Sequence, residues 1–97
     1  MAKRIARVDK NQPQIVAELR GLGYHVTHIH TVGAGVPDLI VSGLSSSGRI
    51  LALLVEVKQR GGKLTDDEID WHGKYFEDGP LVVAFDSDDV VEWFANN

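Results

Sequence analysis

Cysteine is absent from the 97 residues. That excludes disulfides, thiolate metal sites and cysteine nucleophiles, and it suits a reducing compartment. No apolar run approaches the roughly 20 residues needed to cross a bilayer. The opening Met1-Ala2-Lys3-Arg4-Ile5-Ala6-Arg7 is basic but lacks the apolar centre of a secretory signal. These absences lead to the expectation of a soluble, cytoplasmic protein. Basic residues are scarce in the second half. From Leu64 onward Lys74 stands alone against ten acids, whereas up to Lys63 nine Lys and Arg face four acids. The net charge of −4 therefore does not exclude a nucleic-acid partner. Exposed charges are screened beyond about 10 Å, so a phosphate responds to the local basic patch. The acidic half serves solubility equally well. The length suits one domain, which at this size buries roughly two thirds of its unfolded surface.

The pattern gives a basic arm over residues 1–10 and a single domain over 11–97. Asn11 is placed to cap a helix with Pro13 in its first turn, and Ile15, Val16, Leu19 and Leu22 form its apolar stripe. Gly21 and Gly23 end it. Tyr24 to Val32 reads as a strand, followed by a glycine-rich bend to Pro37. Asp38 to Ser42 is a second strand. Ile50 to Lys58 is a third, apolar on both faces until its last residues, as in a central strand covered on both sides. Thr65 caps a second helix, with Glu68 at the capping-box position, and the helix runs to about Asp78. After Gly79-Pro80, Leu81 to Phe85 forms a fourth strand. Ser87 caps a last helix bearing Val90, Val91, Trp93 and Phe94. The expectation is an α/β fold of order α-β-β-β-α-β plus a C-terminal helix. Three strands form an antiparallel meander, and the fourth, reached across a helix, lies parallel in one mixed sheet flanked by helices.

Two features resist a purely structural explanation. Glu56 and Lys58 end the apolar third strand, and a spacing of two puts both on one face. Charges there are costly unless paired or bound to a metal; alternatively the strand has reached solvent and the two form a surface salt bridge. Asp38 directly follows Pro37, so it is either a turn residue or part of a site. If the second and third strands are neighbours, Asp38 and Glu56 sit side by side with the Val57 carbonyl between them. Such hard oxygen ligands suit Mg²⁺, which lowers the pKa of a bound water. Lys58 can then orient that water and stabilise charge in the transition state.

Gly35-Val36-Pro37-Asp38-Leu39-Ile40, then Leu54-Val55-Glu56-Val57-Lys58, then Gly62-Lys63-Leu64-Thr65 followed by Trp71-His72 resemble the VRR-NUC branch of the PD-(D/E)xK nucleases. The resemblance spans roughly Asn11 to Asp88. It implies a restriction-endonuclease-like core and cleavage of DNA phosphodiester bonds dependent on Mg²⁺ or Mn²⁺, with Asp38, Glu56 and Lys58 as the catalytic set. It further implies Glu18 as the acid of the first helix, joining Asp38, Glu56 and the Val57 carbonyl at the metal. Free-standing members from bacteria and phages are homodimers acting on branched DNA such as four-way junctions. A chain this short, without room for the extra domains of the larger repair nucleases, is expected to be of that type and to work in a bacterial or phage-infected cell. Glu68 departs from the pattern, since the family has Gln three residues before the Trp. A carboxylate cannot donate as an amide does, so Glu68 is either another acid near the metal or only a capping residue.

Gln59, Arg60 and Lys63 are further candidates for contact with DNA. Leu64, Trp71 and Tyr75 recur on one side of the second helix and are candidates for a dimer interface, with Ile69, Gly73 and Phe76 facing the sheet. His25, His28 and His30 are expected to be packed or solvated, and His72 to pack against the sheet. Two alternatives to a nuclease remain at this point. One is a non-catalytic DNA-binding module of the same fold, and the other is an α/β interaction protein with these charges on its surface.

Overall fold

The computed structural model describes residues 9–76 and 79–97, without the side chains of Tyr75 and Phe76. The elements are α1 (Gln12–Gly21), β1 (His25–His28), a 3-10 turn at His30–Val32, β2 (Leu39–Leu44), β3 (Ile50–Val57), α2 (Asp66–Phe76), β4 (Leu81–Ala84) and α3 (Ser87–Ala95). The four strands form one sheet in the order β1-β2-β3-β4. β1, β2 and β3 run as an antiparallel meander, and β4 lies parallel to β3, as a strand reached across a helix can. The expected α/β fold, with a mixed sheet between helices, is the one observed.

Alternation along the strands decides where the core lies. Val41 pairs with Val26 on one side and Leu53 on the other, Leu39 pairs with Val55, and Val57 pairs with Ala84. All are buried, and they meet Ile15, Val16 and Leu19 of α1 and Val90 and Phe94 of α3. Two helices thus cover one face of the sheet. The other face is largely open along the first half of β3, where Ile50 is 72% exposed, as is Leu44 opposite it at 63%. The expectation that both faces of β3 are covered therefore holds only for its last residues, over which α2 lies.

Other boundaries shift for identifiable reasons. The first strand stops at His28, because the chain then turns through His30–Val32 into a bend in which Gly33, Ala34 and Gly35 all have positive φ. Leu22, placed in the apolar stripe of α1, is the C-cap and is exposed; Gln12 takes a buried place instead. The last helix is capped by Asp86, whose side chain accepts from the Asp89 amide, rather than by Ser87. Residues 1–8 of the expected basic arm and residues 77–78 of the expected second helix lie outside the described residues.

Candidate active site

The end of β3 gathers the charged side chains. Pro37 has no amide hydrogen, so the ladder resumes at Asp38. The Asp38 amide donates to the Val55 carbonyl (3.0 Å), and its carbonyl accepts from Ile29 (2.8 Å). Its carboxylate then extends the ladder sideways, with Oδ2 accepting from the Val57 amide at 2.8 Å. This fixes Asp38 beside Glu56, and the two carboxyls are hydrogen-bonded to each other. Glu56 is 1% exposed. A surface salt bridge at a strand end does not describe it.

α2 supplies the other wall. Thr65 and Glu68 form the expected capping box: the Thr65 amide donates to Glu68 Oε1 (2.8 Å) and the Glu68 amide donates to Thr65 Oγ1 (3.2 Å). Glu68 also pairs with Lys58 Nζ at 2.8 Å, both side chains about 15% exposed. It is thus both a cap and a member of the cluster. One turn on, His72 Nε2 lies 3.3 Å from Glu56 Oε1. The side of α2 that meets the sheet is therefore Glu68 and His72. Ile69, expected on that side, is 56% exposed, and Gly73 has open space where a side chain would stand. The reason is position: α2 lies over the charged end of β3, so polar groups face inward. Gly35 allows this approach, since it has φ of 84° and any Cβ there would collide with the Asp67 carbonyl.

The third wall comes from the segment before α1. Asn11 occupies the N-cap position but makes no side-chain cap. Its Nδ2 instead donates to the carbonyls of Lys58 (3.0 Å) and Phe85 (2.9 Å), tying the start of α1 to the ends of β3 and β4. This brings Asp9, which the sequence reading assigns to the basic arm, within the electrostatic reach of Lys58, Asp38 and Glu68. The carboxylates that act on Lys58 are Glu68, Glu56 and Asp9. Glu18, the acid taken from the resemblance, is exposed and accepts from Ser87 Oγ at 2.9 Å and Gln14 Nε2 at 3.3 Å. Asp9, which precedes α1, is thus a further acid whose charge acts on this group.

The electrostatics follow from four acids around one lysine. Burial, the hydrogen bond that its proton makes to Asp38 and the charges of Asp38 and Glu68 push the Glu56 carboxyl up to about 10, so it holds its proton at neutral pH. Burial and the neighbouring acids also raise Asp9, against the pull of Lys58. Burial alone would lower Lys58, but the Glu68 pair and the charges of Glu56 and Asp9 outweigh it and raise it. Burial would raise Glu68, yet Lys58 and the Thr65 amide hold it below the ordinary value. Burial lowers His72, so its contact with Glu56 at neutral pH is a neutral hydrogen bond.

A Pro-Asp step and a Glu-x-Lys strand end thus converge on one carboxyl pair with an adjacent lysine, and the model of the VRR-NUC domain matches residues 6–84. The chain belongs to the VRR-NUC domain family. Its function is accordingly of the nuclease type, directed at DNA. The comparisons with curated proteins and with solved structures gave no match.

In this VRR-NUC domain no group of three or more His, Asp or Glu side chains, among the described residues, forms a ready-made metal cage. Mg²⁺ does not require one, since it is commonly held by one or two carboxylates with waters completing the shell. The donor chemistry fits such an ion: Asp38 and Glu56 offer hard oxygens, and a proton is held on this pair where positive charge is wanted. Other candidates stand further out. Arg60 lies over the Phe85 ring at 5.3 Å and pairs with Asp86 at 2.9 Å. Gln59 and Lys63 are exposed, while Leu64 and Trp71 are half-buried; the Tyr75 side chain lies outside the description. His28 and His30 meet edge to face, ring centres 5.8 Å apart, on the sheet edge beyond β2. Among the described residues no helix is long and apolar enough to cross a membrane.

Proposed function

We propose that this VRR-NUC domain is a metal-dependent endonuclease that hydrolyses DNA phosphodiester bonds, with branched DNA such as four-way junctions or flaps as its substrate. The observation that carries this reading is the pairing of the buried Glu56 carboxyl with Asp38 at one end of the sheet, beside Lys58. A buried carboxyl held against a second, half-buried one is costly, and a bound cation would offset that cost.

In this reading Asp38 and Glu56 hold Mg²⁺ or Mn²⁺, with the Val57 carbonyl and Asp9 completing the protein side, Asp9 directly or through water. When bound, the ion supplies an acidified water and screens the scissile phosphate. Lys58 keeps its proton, because its neighbours raise it. Its role is therefore to stabilise negative charge and orient water rather than to remove a proton. Glu68 sets the direction of Lys58 through their ion pair, and His72 fixes one oxygen of Glu56. A homodimer would place two such centres at a fixed spacing, as paired cuts across a junction require.

The test is incubation with labelled linear, flap and four-way DNA of matched sequence, with and without Mg²⁺, while sedimentation reports the oligomeric state. Cleavage favouring the branched forms supports the reading. Cleavage of all forms alike would remove the branch selectivity, and tight binding without cleavage would favour the non-catalytic module.

A further inference from the structure

A cavity of about 300 Å³ opens between α1 and the edge strand β1, lined by Gln12, Pro13, Val16, Ala17, Arg20, His28 and His30. It lies outside the carboxyl cluster but at the same end of the sheet. His28 pairs with Leu39, the neighbour of Asp38, and Ile29 donates to the Asp38 carbonyl at 2.8 Å. Gln12 follows Asn11, whose amide is bound to the Lys58 carbonyl. Cross-strand partners share a face, so His28 and the cavity lie with Leu39 on the α1 side, whereas Asp38 and Glu56 project from the other face at the same end of the sheet.

The lining is unusual in one respect. Gln12 is 1% exposed and its Oε1 has no partner; the Nδ1 of His30 is buried without one as well. The far end of the Gln12 amide makes only a long contact, 3.4 Å, with Nδ1 of His28. Buried polar atoms are nearly always satisfied, so each exception asks for an explanation. Here both belong to residues that line one cavity, in which Arg20 and His28 stand beside the apolar surfaces of Pro13, Val16 and Ala17. A bare phosphate is a poor match, because the unpartnered atom of Gln12 accepts rather than donates, and Arg20 already donates to the Val26 carbonyl at 2.9 Å. A flat, neutral ring with donors and acceptors along its edge matches both the apolar walls and the unpaired polar atoms. Proteins that read unpaired bases use this combination.

We propose that this cavity is a nucleobase pocket. It receives an unpaired base of DNA that passes around this end of the sheet from the carboxyl cluster, with Gln12 and His30 bonding the base edge and Pro13, Val16 and Ala17 packing on its flat faces. As a part of DNA recognition it rests on the nuclease reading, and it deepens it: branched DNA offers unpaired bases near a cut at less cost than a continuous duplex does. As a pocket for a base it stands independently.

The experiment has two arms. In the first, the full chain labelled with ¹⁵N is titrated with single deoxynucleosides. The expected result is a saturable shift of the Gln12 side-chain amide and of the His28 and His30 rings. Ala17→Leu adds bulk at an exposed helical site facing the cavity and abolishes these shifts, while the rest of the spectrum stays folded; Gln12→Met weakens them. Absent shifts, or shifts that persist in Ala17→Leu, overturn the pocket whether or not the protein cuts DNA. In the second arm, branched DNA carrying a single abasic nucleotide, scanned across the positions around the branch, is bound in Ca²⁺. One position should weaken wild-type binding roughly tenfold and leave Ala17→Leu unaffected, an amount within what one base contact contributes. Shifts with free nucleosides but no abasic effect would assign the pocket to a free nucleoside instead of DNA and overturn its role in DNA recognition. A wild type that binds nucleosides and cuts no DNA would sink the nuclease reading and leave the pocket standing.

Discussion

Glu56→Gln should stabilise the metal-free protein while abolishing its activity. The perturbation is nearly isosteric, and the new amide can still donate toward Asp38, as the protonated carboxyl does. The magnitude follows from the proton that folding forces onto Glu56, raised from 4.5 to about 10. The unfolded chain has released this proton at pH 7, so the folded state pays for about 2.5 units of it, at about 1.4 kcal/mol per unit. Asp38 and Glu68 share in the coupling, and a gain of about 1–3 kcal/mol is the range to expect. For a domain of this size that corresponds to a rise in Tm of roughly 5–15 °C. The sign also fixes a pH dependence. The folded state binds more protons than the unfolded one between the two values, so wild-type stability falls as pH rises from 4.5 toward about 10. The Gln variant lacks this slope. Thermal melts in excess EDTA between about pH 6 and 9 show both effects. A variant that melts at or below the wild type throughout, with the same slope, would refute the claim that the buried Glu56 carboxyl opposes folding without a cation.

Three further expectations come from the same geometry. Asp9→Asn should reduce DNA cleavage at least tenfold, and Glu18→Gln should leave it within about twofold, because Asp9 acts on Lys58 whereas Glu18 is exposed and bonded to Ser87 and Gln14; steady-state rates on one substrate decide between the two acids. Glu68→Gln should keep the helix cap, since Gln also completes a capping box, but release Lys58. Cleavage is then expected to change in KM and kcat by only a few fold, with a loss of roughly 1 kcal/mol in melts. Gly35→Ala should destabilise by about 1–3 kcal/mol, and it should lower activity more than the melt explains, because the loop would push α2 and with it Glu68 and His72 away from β3; urea titration alongside the rate assay separates the two.

Much of this molecule was legible in its sequence where a local rule and the tertiary structure agree. The apolar runs of β2 and β3, the break at Gly79-Pro80 and the Thr65–Glu68 capping box each fix an element, and the spacing of Glu56 and Lys58 fixes their common face. Apolar periodicity misled on α2. It assigns the sheet-facing side to Ile69 and Gly73, whereas the helix lies over charges and turns Glu68 and His72 inward. A stripe of polar residues at i and i+4 facing a charged strand end was the signal available for His72. Asp9 was hidden for another reason. Its place depends on Asn11 reaching two carbonyls at the ends of β3 and β4, a contact across 47 and 74 positions of chain that no local pattern encodes. The same holds for Gln12, whose burial results from the packing of α1 against the edge of the sheet.

The central claim is that the Asp38–Glu56 pair works with a divalent cation to cut DNA. The most direct measurement is the single-turnover cleavage rate of wild type and Glu56→Gln on a branched substrate in Mg²⁺, Mn²⁺, Ca²⁺ and EDTA. Wild type should cut in Mg²⁺ or Mn²⁺, bind with little turnover in Ca²⁺, whose looser coordination positions water poorly, and be silent in EDTA. The Gln variant should be slower by two orders of magnitude or more, roughly 1.4 kcal/mol for each decade. Cleavage that persists in EDTA, or a Glu56→Gln variant that cuts at the wild-type rate in Mg²⁺, contradicts the account.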